Sequence, residues 1–305
     1  MKRFGWLLFA AAGCAWMRPL EEHSVTGTLR VGDLERTFVL HLPPSLPAEK
    51  PAPVLLVFHG GGGTGQQIER FTEFSPLSDR QGFIVAYPDG IGKNWYDGRE
   101  VEGSRAHREK IDDLAFIDEL LVEVARRHPV DEKRIFATGI SNGGFFSHWL
   151  AAHRSEKIAA IAPVAGGMAP VMAESFRPAK PVSVLVIQGT EDPIVPYGGG
   201  ELKYGRGKTI PTLDAVRLWA KHDRCGGARD DEVQDMDPND GTTTLRTAWR
   251  DGQDGTDVIL YTVKGGGHTW PGGSQYLPVS VIGRVSRDFS ATEMIWGFFA
   301  GHPKR

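Results

Sequence analysis

The chain has 305 residues, of which 40% are hydrophobic and 24% charged, as in an ordinary globular protein. Its net charge of -3 provides no basic face for nucleic acid, and no apolar run reaches the ~18 residues that a membrane-spanning helix needs. The two cysteines, Cys14 and Cys225, are too few and too far apart for a disulfide framework or a zinc site.

The N-terminus predicts an export signal over residues 1–14. Basic residues at positions 2 and 3 precede a short apolar run, and small residues then lead to Cys14. This pattern resembles a bacterial lipoprotein signal, in which the cysteine is lipidated. We therefore predict an exported protein that is extracellular, periplasmic or anchored to a membrane through Cys14. Plain signal cleavage and a buried N-terminal strand remain alternatives. Residues 15–23 would form a connector and residues 24–305 a single domain.

The domain begins with a predicted β-hairpin. Polar and apolar residues alternate over 24–30 and 36–42, and Gly32 and Asp33 predict the turn between them. After a proline-rich link, the unbroken apolar run 54–58 predicts a strand buried on both faces of a parallel sheet. His59 and four consecutive glycines, 60–63, follow it. They predict either a loop whose amides approach a substrate oxygen or a loose linker.

Helices and buried strands then alternate. We predict a helix over 66–80, a strand over 82–88 and an amphipathic helix that begins at Asp112 and Asp113. These two acids are expected to cap that helix rather than to react. The polar loop before it carries Trp95 and Tyr96, which could belong to the core or form an aromatic wall of a site.

Ser141 lies between an apolar strand and a helix, in the pattern G-x-S-x-G formed with Gly139 and Gly143. This pattern places a serine on a sharp turn with its hydroxyl exposed. Larger side chains at the two glycines would collide across the bend, and the helix N-terminus would offer amides to an anion. The motif alone also fits a glycine-rich turn with an idle serine.

The last part of the chain adds two notable loops. Strands are predicted over 157–165 and 181–188, and Glu191 and Asp192 follow the second one. A helix over 213–222 and an irregular acidic segment over 229–255 lead to a strand over 258–263, which ends in a glycine-rich loop with His268. A helix near 292–300 closes the chain. The alternation predicts an α/β fold, a doubly wound and mainly parallel sheet that begins with an antiparallel hairpin.

In such a sheet, the chemistry gathers at the carboxyl ends of the strands. The order of Ser141, Asp192 and His268 is that of the α/β-hydrolase triad. His268 would take the serine proton, and Asp192 would orient the imidazole. Glu191 is a local competitor for the acid role, and Asp192 could be only a turn residue. His59 is interpreted as structural or as support for the oxyanion loop.

Several blocks of this sequence together resemble the polyhydroxybutyrate depolymerase and feruloyl esterase family of secreted α/β-hydrolases related to carbohydrate esterases. The resemblance runs from about residue 25 to 299. The blocks that carry it are 59–64, 112–113, 139–144, 162–166, 189–197 and 265–273. It implies an extracellular carboxylic-ester hydrolase without a cofactor, with its triad on Ser141, Asp192 and His268. Members often have a second cysteine shortly before the last strand. Here residues 247–258 contain none, so a disulfide to Cys225 is not expected.

We therefore predict a serine esterase that acts through an acyl-enzyme on feruloyl or acetyl esters of plant polysaccharide, with oligomers of 3-hydroxybutyrate as the alternative substrate. A serine peptidase and a non-catalytic binding protein are less favoured, because accessory peptidase features are missing and no triad member is lost. The expected oxyanion donors are the amides of Gly61 and Asn142, with Gly60 and Gly62 as further candidates. The expected substrate-stacking rings are Trp95, Tyr96 and Trp270.

Overall fold

The computed structural model describes residues 21–44 and 46–305, so the predicted signal and Cys14 lie outside the described residues. The strands are β1 Ser24–Val31, β2 Leu34–His41, β3 Ala52–Phe58, β4 Ile84–Pro88, β5 Val130–Ile140, β6 Ala160–Val164, β7 Ser183–Gly189, β8 Gly200–Glu201, β9 Lys208–Thr209, β10 Arg229–Glu232, β11 Thr243–Trp249 and β12 Val258–Lys264. The helices are α1 Gly65–Thr72, α2 Phe74–Gln81, α3 Arg105–Arg108, α4 Asp113–Arg127, α5 Asn142–His153, α6 Pro170–Glu174, α7 Thr212–His222, α8 Val279–Ile282 and α9 Ala291–Ala300, with short 3₁₀ turns at Ile91–Lys93 and Gln253–Gly255.

The strands form one large sheet in the order β1-β2-β4-β3-β5-β6-β7-β12-β11-β10, and β8 and β9 form a separate small ribbon. The central strands from β4 to β12 are parallel, whereas β1 and β2 at one edge and β10 and β11 at the other are antiparallel. Val31 pairs with Leu34, which leaves Gly32 and Asp33 as the hairpin turn. The α/β-hydrolase architecture and the antiparallel start are thus confirmed.

Apolar side chains cover both faces of this sheet. Along β3, Val54, Leu56 and Phe58 belong to a core shared with α4, α5 and α7, whereas Leu55 and Val57 belong to a second core shared with α1, α2 and α9. Successive side chains of a strand point to opposite faces, so a strand buried on both faces needs an unbroken apolar run. This is the physical reason for the run that predicted the strand.

Two predicted elements differ from the structure. The single helix expected over 66–80 is two helices, because Glu73 has a left-handed backbone (φ 55°) that ends α1 and starts α2. The segment 229–255 was expected to be irregular, but it contains β10 and β11, which extend the sheet beyond β12. All four residues of β10 are exposed and charged, so no apolar alternation marks it as a strand.

Two further predictions concern the membrane and the cysteines. Within the described part of the chain, no helix is both long enough and apolar enough to cross a bilayer. Cys225 is a free, half-buried thiol, and burial, together with nearby Asp223 and Asp257, raises its pKa to about 11. The thiol is therefore protonated and unreactive at neutral pH.

Candidate active site

Ser141 forms the bend between β5 and α5. Its backbone has φ 58° and ψ -122°, a conformation that few residues other than glycine adopt. Its amide donates to the carbonyl of Val164 at 3.0 Å, which fixes the bend against β6. A Cβ atom at Gly143 would lie 2.3 Å from the carbonyl oxygen of Phe58, so the helix approaches β3 too closely for any side chain. The turn therefore has the form that the G-x-S-x-G pattern predicts.

Asp192 and His268 are in direct contact after the ends of β7 and β12, which are neighbouring parallel strands. His268 Nδ1 and Asp192 Oδ2 are 2.8 Å apart, and both side chains are almost fully buried. The other carboxylate oxygen, Oδ1, accepts from the amides of Ile194 and Val195, each at 2.8 Å. Gln188 Nε2 donates to Oδ2 at 3.1 Å. These donors hold the carboxylate so that it accepts from Nδ1, which leaves the other ring nitrogen to exchange a proton.

Glu191, the alternative acid, points away from this contact. Its side chain is exposed and lies 3.6 Å from the guanidinium of Arg284.

The backbone of His268 is held by the loop that follows it. The His268 amide donates to the carbonyl of Ile282 at 2.5 Å, and the His268 carbonyl accepts from the hydroxyl of Tyr276 at 2.9 Å. The chain thus fixes both the ring partner and the backbone of His268.

Ser141 lies at the same edge of the sheet as this pair, because β5, β7 and β12 run in one direction and only β6 and β7 separate β5 from β12. Among the described residues, the Ser141 hydroxyl makes no hydrogen bond. The structure therefore brings together Asp192 and His268 but shows no bond that joins them to Ser141. Such bonds are often long in a substrate-free site and tighten when substrate binds.

The glycine loop after β3 lies against the start of α5. A Cβ atom at Gly60 would be 3.4 Å from the Ser141 Cβ, and one at Gly61 would be 3.9 Å from the Asn142 Cβ. Asn142 is the first residue of α5, so its amide has no partner within the helix. Gly62 does not fit the expectation, because its amide already donates to the carbonyl of Lys93 at 2.8 Å.

His59, which precedes these glycines, has a structural position. Nδ1 lies 2.8 Å from the carbonyl oxygen of Gly60, and Nε2 accepts from the amide of Gly90 at 3.0 Å. The carbonyl of His59 accepts from the indole of Trp95 at 3.1 Å. Burial lowers the pKa of His59 to about 4, so the ring is neutral at pH 7. With both nitrogens bonded to backbone, it supports the loop.

A buried polar network behind α5 was not predicted from the sequence. The Asn142 side chain bonds both backbone groups of Trp95, and its Nδ2 also donates to Asp97 at 2.7 Å. Asp97 in turn accepts two bonds from Arg99, at 2.9 and 2.6 Å, and lies 3.1 Å from His107. Although burial opposes ionisation, Arg99 and His107 hold the pKa of Asp97 well below its usual range. The network ties the loop 94–99 to the residue after Ser141.

The predicted aromatic wall needs correction. Trp95 has no exposed surface and Trp270 is 1% exposed, so neither ring can stack on a substrate in this conformation. Trp95 packs on Phe58 and Phe146, and the Trp270 indole donates to Thr292 at 3.0 Å. Tyr96 alone of the three is partly exposed. Aromatic residues in a loop after a strand therefore belong mainly to the core here.

Of the two acids expected to cap α4, Asp113 instead binds groups outside the helix. Its buried carboxylate lies 2.6 Å from the guanidinium of Arg36 and accepts from the amide of Tyr96 at 2.8 Å, whereas Asp112 caps α4 through the amide of Ala115. Asp113 thus fixes the start of the same loop that Asp97 holds. Within the residues that the structure describes, no group of three or more His, Cys, Asp or Glu side chains is placed to hold a metal ion.

Comparison with known proteins agrees with this architecture. Residues 32–262 match the model of the esterase family, whose description is "Putative esterase". The chain belongs to this family. This esterase is 30% identical, over 93% of its own length and 85% of the relative's, to the "Putative esterase NocK" of Nocardia uniformis subsp. tsuyamanensis. Its membership of this family, together with its fold, identifies the protein as a carboxylic-ester hydrolase.

Two further similarities are to a feruloyl esterase and to an acetyl xylan esterase. The chain is 29% identical to feruloyl esterase B of Piromyces equi over 76% of its own length, but it spans only 42% of that relative. Its structure resembles that of acetyl xylan esterase from Aspergillus awamori with a TM-score of 0.58 at 16% identity, covering 80% of this chain and 94% of the other. At such low identity, the structural likeness shows the shared fold alone.

Proposed function

We propose that this esterase cleaves carboxylic esters through an acyl-enzyme on Ser141. The Ser141 oxygen attacks the ester carbonyl while His268 Nε2 takes the hydroxyl proton, and His268 then gives this proton to the departing alcohol. In the second half, water attacks the acyl carbon while His268 takes a proton from the water, and His268 then gives this proton to the Ser141 oxygen as the carboxylic acid leaves. The proposal is carried by the 2.8 Å contact between His268 and Asp192 at the edge that holds Ser141.

Both tetrahedral intermediates place a negative charge on the former carbonyl oxygen. We assign its binding to the amides of Asn142 and Gly61, with Gly60 as a further donor. This assignment is supported by the free amide at the start of α5 and by the closeness of Gly61 to Asn142. One such donor typically lowers the barrier by about 3 kcal/mol.

The substrates that we propose are feruloyl or acetyl esters carried by plant polysaccharide. Support comes from the names of two similar proteins, the feruloyl esterase B of Piromyces equi and a bifunctional acetylxylan esterase/xylanase of Neocallimastix patriciarum, which is 27% identical over 48% of this chain. Tyr96 is the predicted ring that retains exposed surface for an aromatic acyl group or a sugar. An extracellular substrate agrees with the export signal predicted over residues 1–14. Lipidation of Cys14 is part of the proposal, and the mass of the mature N-terminus tests it.

Replacement of Ser141 by alanine tests the mechanism. We expect turnover of 4-nitrophenyl acetate to fall at least about 10³-fold, with unchanged circular dichroism, and labelling by a fluorophosphonate to disappear. The matched control is Ser274→Ala, which removes an exposed hydroxyl from the loop that follows His268 and should leave both readouts intact. Undiminished turnover by Ser141→Ala would end the proposal. Methyl ferulate and acetylated xylan then test the substrate class, and inactivity on both would exclude it.

A further inference from the structure

Two partly exposed aromatic rings meet beside the candidate active site. Phe71 lies on α1, the helix that follows the glycine loop, and Tyr276 lies in the loop that follows His268. Their ring centroids are 5.3 Å apart and their planes are at 89°, which is an edge-to-face contact. The contact joins the side of the site that carries the candidate oxyanion loop to the side that carries the candidate base.

Tyr276 is tied to the surroundings of all three candidate triad residues. Its hydroxyl donates to the carbonyl of the candidate base at 2.9 Å. Its ring packs against an apolar cluster that includes Phe145 and Ile194. The amide of Phe145 donates to the Ser141 carbonyl at 3.0 Å. The amide of Ile194 donates to the Asp192 carboxylate at 2.8 Å. Hydrogen bonds and packing therefore place the Tyr276 ring next to the triad.

Phe71 has a fixed support on its other side. Its ring makes a second edge-to-face contact, at 6.3 Å, with the buried Trp270. The Trp270 indole donates to the Thr292 hydroxyl, which in turn donates to the carbonyl of Thr72 at 2.6 Å. At the other end of α1, Thr64 caps the helix directly after the glycine loop. Phe71 is thus held in place without a substrate, and a preorganised ring loses little freedom on binding.

The position of this pair suits the acyl part of an ester. A substrate whose carbonyl carbon faces Ser141 has its acyl chain between the side of α1 and the side of the candidate base. Phe71 and Tyr276 have partly exposed rings there, whereas Trp95 and Trp270 are buried. A planar aromatic group can stack on one ring and meet the edge of the other. An acetyl group, with one methyl, gains little from either ring.

We propose that Phe71 and Tyr276 form the acyl subsite, so that this esterase prefers esters of planar aromatic acids to acetyl esters. The inference rests on the proposed function and deepens it, because it selects one of the two acyl classes named there. Feruloyl and related hydroxycinnamoyl groups belong to this class. In this subsite the two rings contact the substrate, and the Tyr276 hydroxyl positions the backbone of His268.

Two esters with one leaving group measure this preference. 4-Nitrophenyl ferulate and 4-nitrophenyl acetate release the same alcohol, so they differ only in the acyl part. The readout is the ratio of kcat/KM for the ferulate to kcat/KM for the acetate. In Phe71→Leu and in Tyr276→Leu we expect this ratio to fall about five- to tenfold, as the loss of an aromatic contact predicts. In Phe71→Leu, kcat/KM for the acetate should stay within about twofold of wild type.

Two further variants separate the rings from other effects. Tyr276→Phe keeps the ring and removes the bond to the His268 carbonyl. In this variant kcat/KM should fall by the same factor for both esters, and the ratio should keep its wild-type value. The matched control is Phe289→Leu, which removes another half-buried ring, one that faces Tyr261 of β12 at 5.5 Å. This control should also keep the wild-type ratio.

The outcomes distinguish this inference from the proposed function. Each leucine variant tests the subsite separately, so poor folding of one leaves the other. Unchanged ratios in the folded leucine variants, with the acetate still cleaved, would overturn the inference alone. An equal fall in Phe289→Leu would also overturn it, because the effect would then come from general loosening of the fold. Wild-type inactivity on both esters would overturn the proposed function as well.

Discussion

Replacing Asp97 with asparagine removes the charge at the centre of the buried network behind α5. The Asp97 side chain has no exposed surface, and that of its partner Arg99 is 4% exposed. Asparagine has nearly the same shape, so the change leaves the Arg99 guanidinium buried without its counter-ion. Breaking a buried pair in this way costs about 3–5 kcal/mol. We expect the free energy of unfolding of Asp97→Asn to fall by about this amount.

Urea denaturation at pH 7 measures this loss. The matched control is Glu109→Gln, which breaks the nearby pair with Arg105, where both side chains are about half exposed (48% and 47%). Because water screens such pairs, the control should lose about 0.5 kcal/mol or less. Asparagine keeps only one acceptor oxygen, so residue 97 can no longer accept from Asn142, Arg99 and His107 together. Ester turnover should therefore fall at temperatures where the variant is still folded. A loss of stability no larger than that of the control would refute the reasoning.

Three further changes separate catalysis, packing and titration. Asp192→Asn should lower kcat/KM for 4-nitrophenyl acetate about 10³–10⁴-fold. The control Glu191→Gln should change kcat/KM less than twofold, and equal effects of the two changes would contradict the pairing of His268 with Asp192. Gly143→Ala places a Cβ 2.3 Å from a carbonyl oxygen and should lower the free energy of unfolding by about 1–3 kcal/mol. Its control is Gly297→Ala, in a helix where the added Cβ meets no other atom; this change should raise the free energy of unfolding by up to about 1 kcal/mol. Burial lowers the pKa of His148 to about 3, below the unfolded value near 6.5. Unfolding therefore takes up a proton between these pH values, and stability falls as the pH drops. Between pH 7 and pH 5, the free energy of unfolding of His148→Gln, measured by urea denaturation, should therefore fall by about 2 kcal/mol less than that of wild type. An equal fall in both proteins would contradict this.

The central fold could be predicted because its signals are local. The run 54–58 is apolar throughout since both faces of β3 are covered, and Gly32 and Asp33 mark their own turn. β10 and β11 could not be predicted, because β10 has no apolar residue and the surrounding segment 229–255 is rich in acidic and turn-forming residues. Glu73 was missed because a left-handed backbone at a glutamate leaves no mark in the residue pattern.

The candidate site also has features that could be predicted from the sequence and features that could not. The contact between Asp192 and His268 could be predicted because each follows a buried strand, and parallel strands end at one edge. The partners of Asp97 could not, because Arg99, His107 and Asn142 meet only once the loop 94–99 is folded. Gln188 could have been singled out from the sequence, because it is a polar residue near the end of a mainly apolar strand.

The charged strand at the end of the large sheet has a consequence for molecules at high concentration. Among the residues that the structure describes, β10 pairs with β11 alone, so its outer backbone groups form an edge that could template another strand. Its side chains are one guanidinium and three carboxylates, all in water. A second molecule that added a strand there would have to dehydrate these charges and bring its own carboxylates close to them. The composition that hides β10 from sequence reading therefore also protects the protein from edge-to-edge aggregation.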